Sequence, residues 1–571
     1  MEQENEQEKS FDAIVIGTGI SGGWAAKELC ENGLKTLVLD RGRMVRHVID
    51  YPTMNNENWD FKHRDKITVE EEKRQFKQSR TGYTTAKESK HWFVDDIDHP
   101  YTETKRFDWM RGYHVGGRSI TWGRHSYRLS DMDFEANKKD GHGVDWPIRY
   151  KDIAPWYDKV EEYIGVSGTN LGLKQLPDGK FSEAIPFNCV EEDLATRVAK
   201  NMDGRVITQG RVAHITGDKI HEGRGKCQFR NRCIRGCPFG GYFSSNASTL
   251  PAAERTGNMT LRPNSIASEI VYDENTQLAS GVRVIDTETG EKLFFKAQII
   301  FCCASAIAST AILMQSKSER FPNGLGNDSG ELGHNIMDHH LGVGAYAEVD
   351  EHQDKYYKGR SPGGLYVPRF RNLDKDSEHP DFIRGYGYQG GARRTNWRRA
   401  VAELSYGETM KEELIKPGPW VVGLSGFGEC LPYHENKITL NYDKLDQWGL
   451  PTVDFDVEFK ENEKRMRKDM KEQAVAMLKA AGYNKVTAYD NASEFAPGLA
   501  IHEMGGARMG RDPKTSVLNE YNQVHTVPNV YVTDGACMTS AGCQNPSLTY
   551  MALTARAANH AAKEFNQKNN V

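Results

Sequence analysis

Histidine, asparagine, aspartate and cysteine carry the chemistry legible in this 571-residue chain, and they gather in three places. Near the C-terminus, His502-Glu-Met-Gly-Gly-Ala-Arg-Met-Gly510 is followed by Asn529-Val-Tyr-Val-Thr-Asp534-Gly535-Ala and then by Asn545-Pro546-Ser-Leu-Thr549. An imidazole, with an ordinary pKa of about 6.5, can take or give a proton near neutral pH. An amide can orient a hydroxyl oxygen. Local pattern leaves two readings open for each residue. His502 is either a base or a satisfied loop histidine. Asn545 is either a substrate ligand or only the N-cap of a helix that begins at Pro546, where a missing N–H costs nothing.

The second place is Gly17-Thr-Gly19-Ile-Ser21-Gly22. Gly17 permits a tight turn, Gly19 lets the backbone approach a pyrophosphate, and Gly22 allows a helix to pack closely on a strand. The helix N-terminus then offers N–H groups and a positive dipole end to phosphates. Asp40 stands about 20 residues on, where its carboxylate can accept from ribose hydroxyls. Ser21 and Arg41 flank these positions as further cofactor contacts. The spacing specifies a dinucleotide without choosing between NAD and FAD.

The third place is Cys227-Gln-Phe-Arg-Asn-Arg-Cys233-Ile-Arg-Gly-Cys237-Pro238. Thiolates are the usual ligands of iron–sulfur clusters, and proline after the last cysteine is common there. Arg230, Arg232 and Arg235 would offset thiolate charge. Three ligands suit a [3Fe–4S] centre. The alternative is a loop of structural thiols. Zinc lacks a nearby fourth Cys or His at standard spacing.

The elements that must position these groups follow from pattern. Residues 11–16 predict a buried strand, 20–32 a helix with Gly33 as C-cap, and 36–39 a second strand, which together open a βαβ unit. Residues 50–105 predict long loops and short helices. Strands are expected across 259–287, at 298–303 and at 529–533, and helices at 304–315, 461–481 and 546–566. Between about 345 and 460, strand-like runs such as Trp420-Val-Val-Gly-Leu-Ser-Gly-Phe alternate with loops. The nucleotide-binding pieces are thus split around a mainly antiparallel region.

Composition bounds the rest. Hydrophobic residues make up 38% and charged residues 27%, as in a folded globular protein. A net charge of -5 without a long basic run argues against a nucleic-acid partner. No apolar run approaches the roughly 20 residues needed to cross a bilayer. The polar, acidic start lacks the basic and apolar regions of a secretory signal, so the expected location is cytoplasmic, or periplasmic if a signal-bearing partner carries the chain out.

Taken together, these segments resemble the glucose–methanol–choline (GMC) oxidoreductases over nearly the whole chain. The likeness extends to Val115-Gly116-Gly117-Arg-Ser119-Ile-Thr-Trp122, to Gly326-Asn-Asp-Ser-Gly-Glu-Leu-Gly-His-Asn-Ile-Met-Asp338-His339 and to Asp446-Gln-Trp-Gly-Leu-Pro451. Asp145-Trp-Pro-Ile, Tyr157 and Ile164-Gly-Val-Ser-Gly168 resemble the bacterial branch of gluconate, fructose and glucose dehydrogenase flavoprotein subunits and glucoside 3-dehydrogenases.

The resemblance implies an α/β fold: an FAD-binding Rossmann-like domain (1–60, 106–130, 206–345, 495–571) interleaved with an α+β substrate domain on an antiparallel sheet (61–105, 131–205, 346–494). It implies FAD contacts at Gly116, Gly117, Ser119, Trp122, Gly123 and Ala267. It places Asp534, Gly535 and the helix from Pro546 beside the isoalloxazine ring, and His502 and Asn545 facing flavin N5. Some relatives attach FAD through a histidine where this chain has Thr121, with His114 and His125 out of register, so non-covalent FAD is expected.

The cysteine spacing resembles the iron–sulfur segment of bacterial FAD glucose dehydrogenases. That implies a small accessory subunit and a cytochrome-type acceptor. The expected reaction is oxidation of a sugar or glycoside hydroxyl, a ring secondary alcohol going to a ketone as in glucoside 3-dehydrogenases. Tyr386, Tyr388, Gln389, Trp397 and Trp420 would suit carbohydrate binding. A peroxide-forming oxidase like the pyranose and cholesterol oxidases, and a redox-silent flavin lyase or binding subunit, are the alternatives.

Overall fold

A computed structural model describes residues 10–82, 84–218, 223–357, 359–360, 362–395 and 406–569. The apolar run at the start forms β1 (Ser10–Ile16), whose last four residues are fully buried. The chain turns at Gly17 into α1 (Ile20–Glu31) and returns as β2 (Thr36–Leu39). β2 lies parallel to β1, with Ile16 opposite Leu39. The helix stops one residue short of the expected cap, at Asn32, and Gly33 takes the left-handed conformation (φ 90°) that ends it.

On the other side of β1 runs β3 (Lys292–Cys302), parallel to it and longer than the expected 298–303. Val527–Val532 and Met259–Arg262 extend the sheet in parallel on its two sides. Ser265–Asp273 and Leu278–Asp286 form a hairpin on β3. An open parallel sheet leaves its binding crevice at the carboxyl ends of the strands. Here those ends carry Gly17, Asp40, Cys303 and Thr533. α2 (Ala306–Gln315) leaves β3 at that edge, and α3 (Ser547–Lys568) packs against α1.

The second sheet has six strands and antiparallel pairing throughout. Trp420–Gly428 and Tyr386–Arg394 lie at its centre, and Val343–Val349 and Thr208–Gln209 belong to it. The helices Glu461–Ala480 and Cys189–Asn201 cover one face, burying Met466, Met470, Met477, Leu194 and Val198 with Tyr386 and Tyr388. Side chains alternate along a strand, so Gln389 points away from this core while its neighbour Tyr388 points into it.

A third sheet of three strands (Lys437–Leu445, Pro451–Asp456, Thr102–Glu103) packs against α2 through Ile438, Val453 and Phe455. The segment 50–101 runs as turns and short helices, as its composition implies. The architecture is a nucleotide-binding α/β layer joined to an antiparallel layer, with a deep cleft along the carboxyl ends of the parallel strands, lined also by 451–453 of the third sheet. Among the described residues, no helix is long and apolar enough to cross a membrane.

Candidate active site

The cleft begins at the turn after β1. Gly17 adopts φ 100°, and a Cβ there would lie 2.4 Å from the Cys303 carbonyl oxygen. A Cβ on Gly22 would lie 1.9 Å from the Gly17 carbonyl, which is the close helix–strand contact its position predicts. Around Gly19 nothing stands within 4 Å of where a Cβ would sit, so its backbone borders open space.

Gly17, Gly19 and Ser21 line the cleft with Asp40, Arg41, Gly117, Ser119, Trp122, Gly123, Ala267, Asp534, Gly535, His502 and Asn545. Three expected residues do not line it. Gly22 packs the turn. Gly116 donates its N–H to Thr18 Oγ1 at 2.8 Å. Pro546 supplies backbone geometry beneath α3, which starts at Ser547 with Pro546 itself in the cap position.

At the nucleotide end, Asp40 accepts from Thr18 Oγ1 and from Gly42 N (2.8 Å). Burial pushes its carboxyl pKa up, while those donors pull it down. Arg41 stacks over Tyr113 at 4.0 Å and approaches Asp446 at 3.9 Å. The motif around Asp446 and Pro451 therefore closes this end of the cleft.

At the opposite end, Asp534 is less a ligand than a brace. Its carboxylate accepts from Ser309 Oγ, Ser305 N (2.9 Å) and Ala536 N (3.0 Å). Ser305 sits at φ 88°, and this bond holds it there at the start of α2. Burial raises the Asp534 pKa to about 6.

His502 lies on a loop pinned by a residue that sequence reasoning did not single out. Asp338 accepts three backbone N–H groups, from Gly498 (2.7 Å), Ala500 (3.1 Å) and His502 (3.0 Å). The next residue, Glu503, is held by Arg118 through two bonds of 3.0 and 2.8 Å. That pair ties the 115–122 segment to the histidine loop. Burial pushes the Asp338 pKa up to about 7, with Glu503 adding to the rise.

Asn545 Nδ2 stands 3.2 Å from His502 Nε2, and Asn545 Oδ1 accepts from Gln389 Nε2. Helix α3 has no side-chain cap, so capping is not what Asn545 does. His502 Nδ1 meets His339 Nδ1 at 2.8 Å, and His339 Nε2 reaches the Gly542 carbonyl at 2.8 Å. Burial holds the His502 pKa well below 6.5, and the nearby His339, Arg118 and His125 lower it further. A neutral imidazole and an amide thus face the same open space, an arrangement able to take a proton from a bound hydroxyl and hold its oxygen.

The family models for GMC oxidoreductase match residues 11–341 and 432–554. The chain is a GMC oxidoreductase. It is 25% identical to a fructose dehydrogenase large subunit from Gluconobacter japonicus, over 98% of this chain and 99% of that protein. It is 26% identical to a 2-methyl-1,2-propanediol dehydrogenase from Mycolicibacterium austroafricanum, over 97% of this chain and 95% of the other. A paromamine 6'-oxidase from Streptomyces fradiae shares 25% identity over 98% and 93% of the two chains. Among solved structures, a formate oxidase variant from Aspergillus oryzae RIB40 has the same fold, with a TM-score of 0.62, 14% identity and 100% and 99% of the two chains covered.

This family's chemistry is oxidation at CH–OH groups with FAD, and the cleft fits FAD. The open space at Gly19, the α1 N-terminus and the Asp40 carboxylate suit a diphosphate and ribose. The cleft then runs without a break to Asp534, Gly535 and His502. Thr121 lines it, and His114 does not. His125 also lines it, with Nδ1 3.1 Å from the Tyr127 hydroxyl.

One expectation needs correction. Tyr386, Tyr388 and Trp420 are not placed to bind a sugar. Both tyrosines are fully buried, donating to Asp469 and to the Met470 carbonyl, and Trp420 donates to the His352 carbonyl at 2.9 Å. Trp397 lies outside the described residues.

Cys227, Cys233 and Cys237 lie half-buried on one loop, and burial together with the other two thiols raises the Cys227 pKa. All three are free, and among the described residues no group of three or more His, Cys, Asp or Glu could hold a metal ion. Their loop is shaped instead by its arginines. Arg235 is buried against Glu88 and the Asn56 carbonyl, and Arg232 pairs with Glu57. The arginines expected to balance thiolate charge are thus engaged elsewhere.

Proposed function

We propose that this protein dehydrogenates a sugar or glycoside at a ring secondary hydroxyl, with His502 as the base. The observation that carries the reading is the pair formed by His502 and Asn545, 3.2 Å apart at the open end of the flavin cleft. Bound FAD supplies a two-electron, hydride-accepting centre. Gly17, Gly19, Asp40 and the 116–123 segment hold it, and Asp534 braces the walls near the reacting end.

His502 takes the hydroxyl proton at Nε2 as the carbinol carbon becomes a carbonyl. Asn545 steadies the oxygen through its Nδ2 donor, and Gln389 fixes the amide. The cleft wall near this pair contributes His125, Arg124 and Trp122, polar groups that suit a polyhydroxylated substrate. Relatives named for fructose and gluconate, and two aminoglycoside oxidases, support a sugar-like substrate. The 2-methyl-1,2-propanediol relative makes a small diol the comparison substrate.

Anaerobic titration of the holoenzyme with glycosides, free sugars and small diols tests this. Bleaching of the flavin by glycosides at low concentration supports it. Bleaching by the diol alone overturns the substrate assignment. Peroxide formation during turnover in air would select the oxidase reading.

Onward transfer through a [3Fe–4S] centre to a cytochrome-type carrier, with a small accessory subunit, belongs to this proposal on its sequence support alone. In favour stand the C-x5-C-x3-C-P spacing and two cations beside the thiols, Arg124 near Cys227 and buried Arg224 near Cys237. Against it, no group of three or more His, Cys, Asp or Glu among the described residues could hold a metal ion. Iron and acid-labile sulfide in anaerobically purified protein decide it. A cytoplasmic site of action is likewise proposed, and fractionation of expressing cells tests it.

A further inference from the structure

We infer that His339 is a positioning residue that locks His502 in the tautomer whose Nε2 carries the free lone pair. The inference rests on His502 being the base. Its origin is one backbone carbonyl. Gly542 C=O can only accept, so the His339 Nε2 that meets it at 2.8 Å carries a proton.

His339 is only 1% exposed and has no carboxylate partner among the described residues, and burial holds its pKa down to about 4. It is therefore neutral at neutral pH, and a neutral imidazole with Nε2–H has an acceptor at Nδ1. That acceptor lies 2.8 Å from His502 Nδ1. His502 must therefore donate from Nδ1. Being neutral itself, it keeps Nε2 bare.

The polarity continues outward. A bare Nε2 requires Asn545 to present its NH2, which it does at 3.2 Å. The Asn545 carbonyl oxygen then faces Gln389 and must accept from it. One carbonyl thus orders four side chains in series. The other His502 tautomer would set two bare nitrogens against each other at the His339–His502 contact, with no proton between them.

The rings meet nearly edge-on, with centroids 4.9 Å apart at 88°, so the contact is a directed hydrogen bond rather than a stack. His340, next in sequence, is also fully buried, and neither of its ring nitrogens reaches a partner among the described residues. It offers no competing acceptor.

Glutamine can reproduce the lock, with Oε1 accepting from His502 and Nε2 donating to Gly542. Leucine fills space but cannot accept. The test therefore compares wild-type, His339→Gln and His339→Leu holoenzymes. Histidine-15N NMR, with His502 assigned by difference from His502→Ala, reports the tautomer directly.

Wild type and His339→Gln should show a protonated Nδ1 and a bare Nε2 at His502. His339→Leu should lose that signature. Its anaerobic flavin-reduction rate should fall about 10- to 100-fold at unchanged FAD content, with the glutamine variant recovering most of it.

The inference is overturned if wild type shows Nε2–H, if His339→Leu keeps the wild-type tautomer or rate, or if glutamine is as impaired as leucine. The wild-type spectrum decides even if a variant fails to fold. Full activity in His502→Ala would instead sink the assignment of the base. A dead His502→Ala beside a fully active His339→Leu would sink the tautomer lock alone.

Discussion

At His502 the environment does what an ordinary imidazole cannot. Burial and three basic neighbours hold its pKa well below 6.5, so the base stays neutral across the physiological range. The sign is clear. A depressed pKa keeps the proton-accepting form populated as the medium turns acidic. We expect kcat/KM to stay flat down through pH 6.5, where a solvent-exposed histidine would already lose half its activity. A profile with an apparent pKa at 6.5 would contradict this.

His502→Ala should cut turnover by about 10²- to 10⁴-fold, the usual worth of a general base, while FAD stays bound by absorbance. Near-normal turnover would remove His502 from the chemistry. The identity of this residue was legible in the sequence only through resemblance. Its partners were not: His339 lies 163 residues away in the chain, and Gln389 lies 156 from Asn545. No local spacing encodes such pairs. A signal did exist at Asp338-His339, quoted as a family motif without a role.

At the scale of elements, the βαβ opening was the most legible part, because its periodicity and glycines are local. The strand at 36–39 has the expected bounds. What the pattern could not show is why Gly17 is required: its neighbour is the Cys303 carbonyl from a strand far along the chain. Gly17→Ala should therefore destabilise the fold by more than about 1 kcal/mol and lower FAD retention after gel filtration. Full retention with an unchanged melting temperature would show that the turn tolerates a Cβ.

The aromatic residues of the antiparallel sheet misled for a related reason. Period-2 alternation assigns faces but does not say which face is core. Tyr386 and Tyr388 took the core, leaving Gln389 toward the site. The loop carrying His502 depends on Asp338. Asp338→Ala would orphan three N–H groups, each worth about 1–3 kcal/mol when buried unpaired. We expect a lower melting temperature and slowed flavin reduction by the same substrate. A normal reduction rate would show that the loop is held by other means.

For the whole molecule, the resemblance anticipated two interleaved layers, and the two large sheets provide them. The cleft joins a nucleotide end built by β1, α1 and β2 to a reacting end built by the 498–503 loop and the start of α3. With Thr121 where some relatives carry a histidine, the flavin should be released by acid. Yellow supernatant after acid precipitation is the expected result, and colour retained in the pellet would show a covalent link.

Arginine contacts to Glu57, Glu88 and Asn56 set the loop that carries the three thiols. The central claim is alcohol oxidation at the His502–Asn545 end of the cleft, on a sugar-type substrate. Anaerobic absorbance titration of the holoenzyme with a glycoside panel tests it most directly. The account predicts full bleaching of the visible flavin band by a glycoside in wild type and none in His502→Ala. A wild-type flavin that stays oxidised with every sugar and glycoside would contradict it.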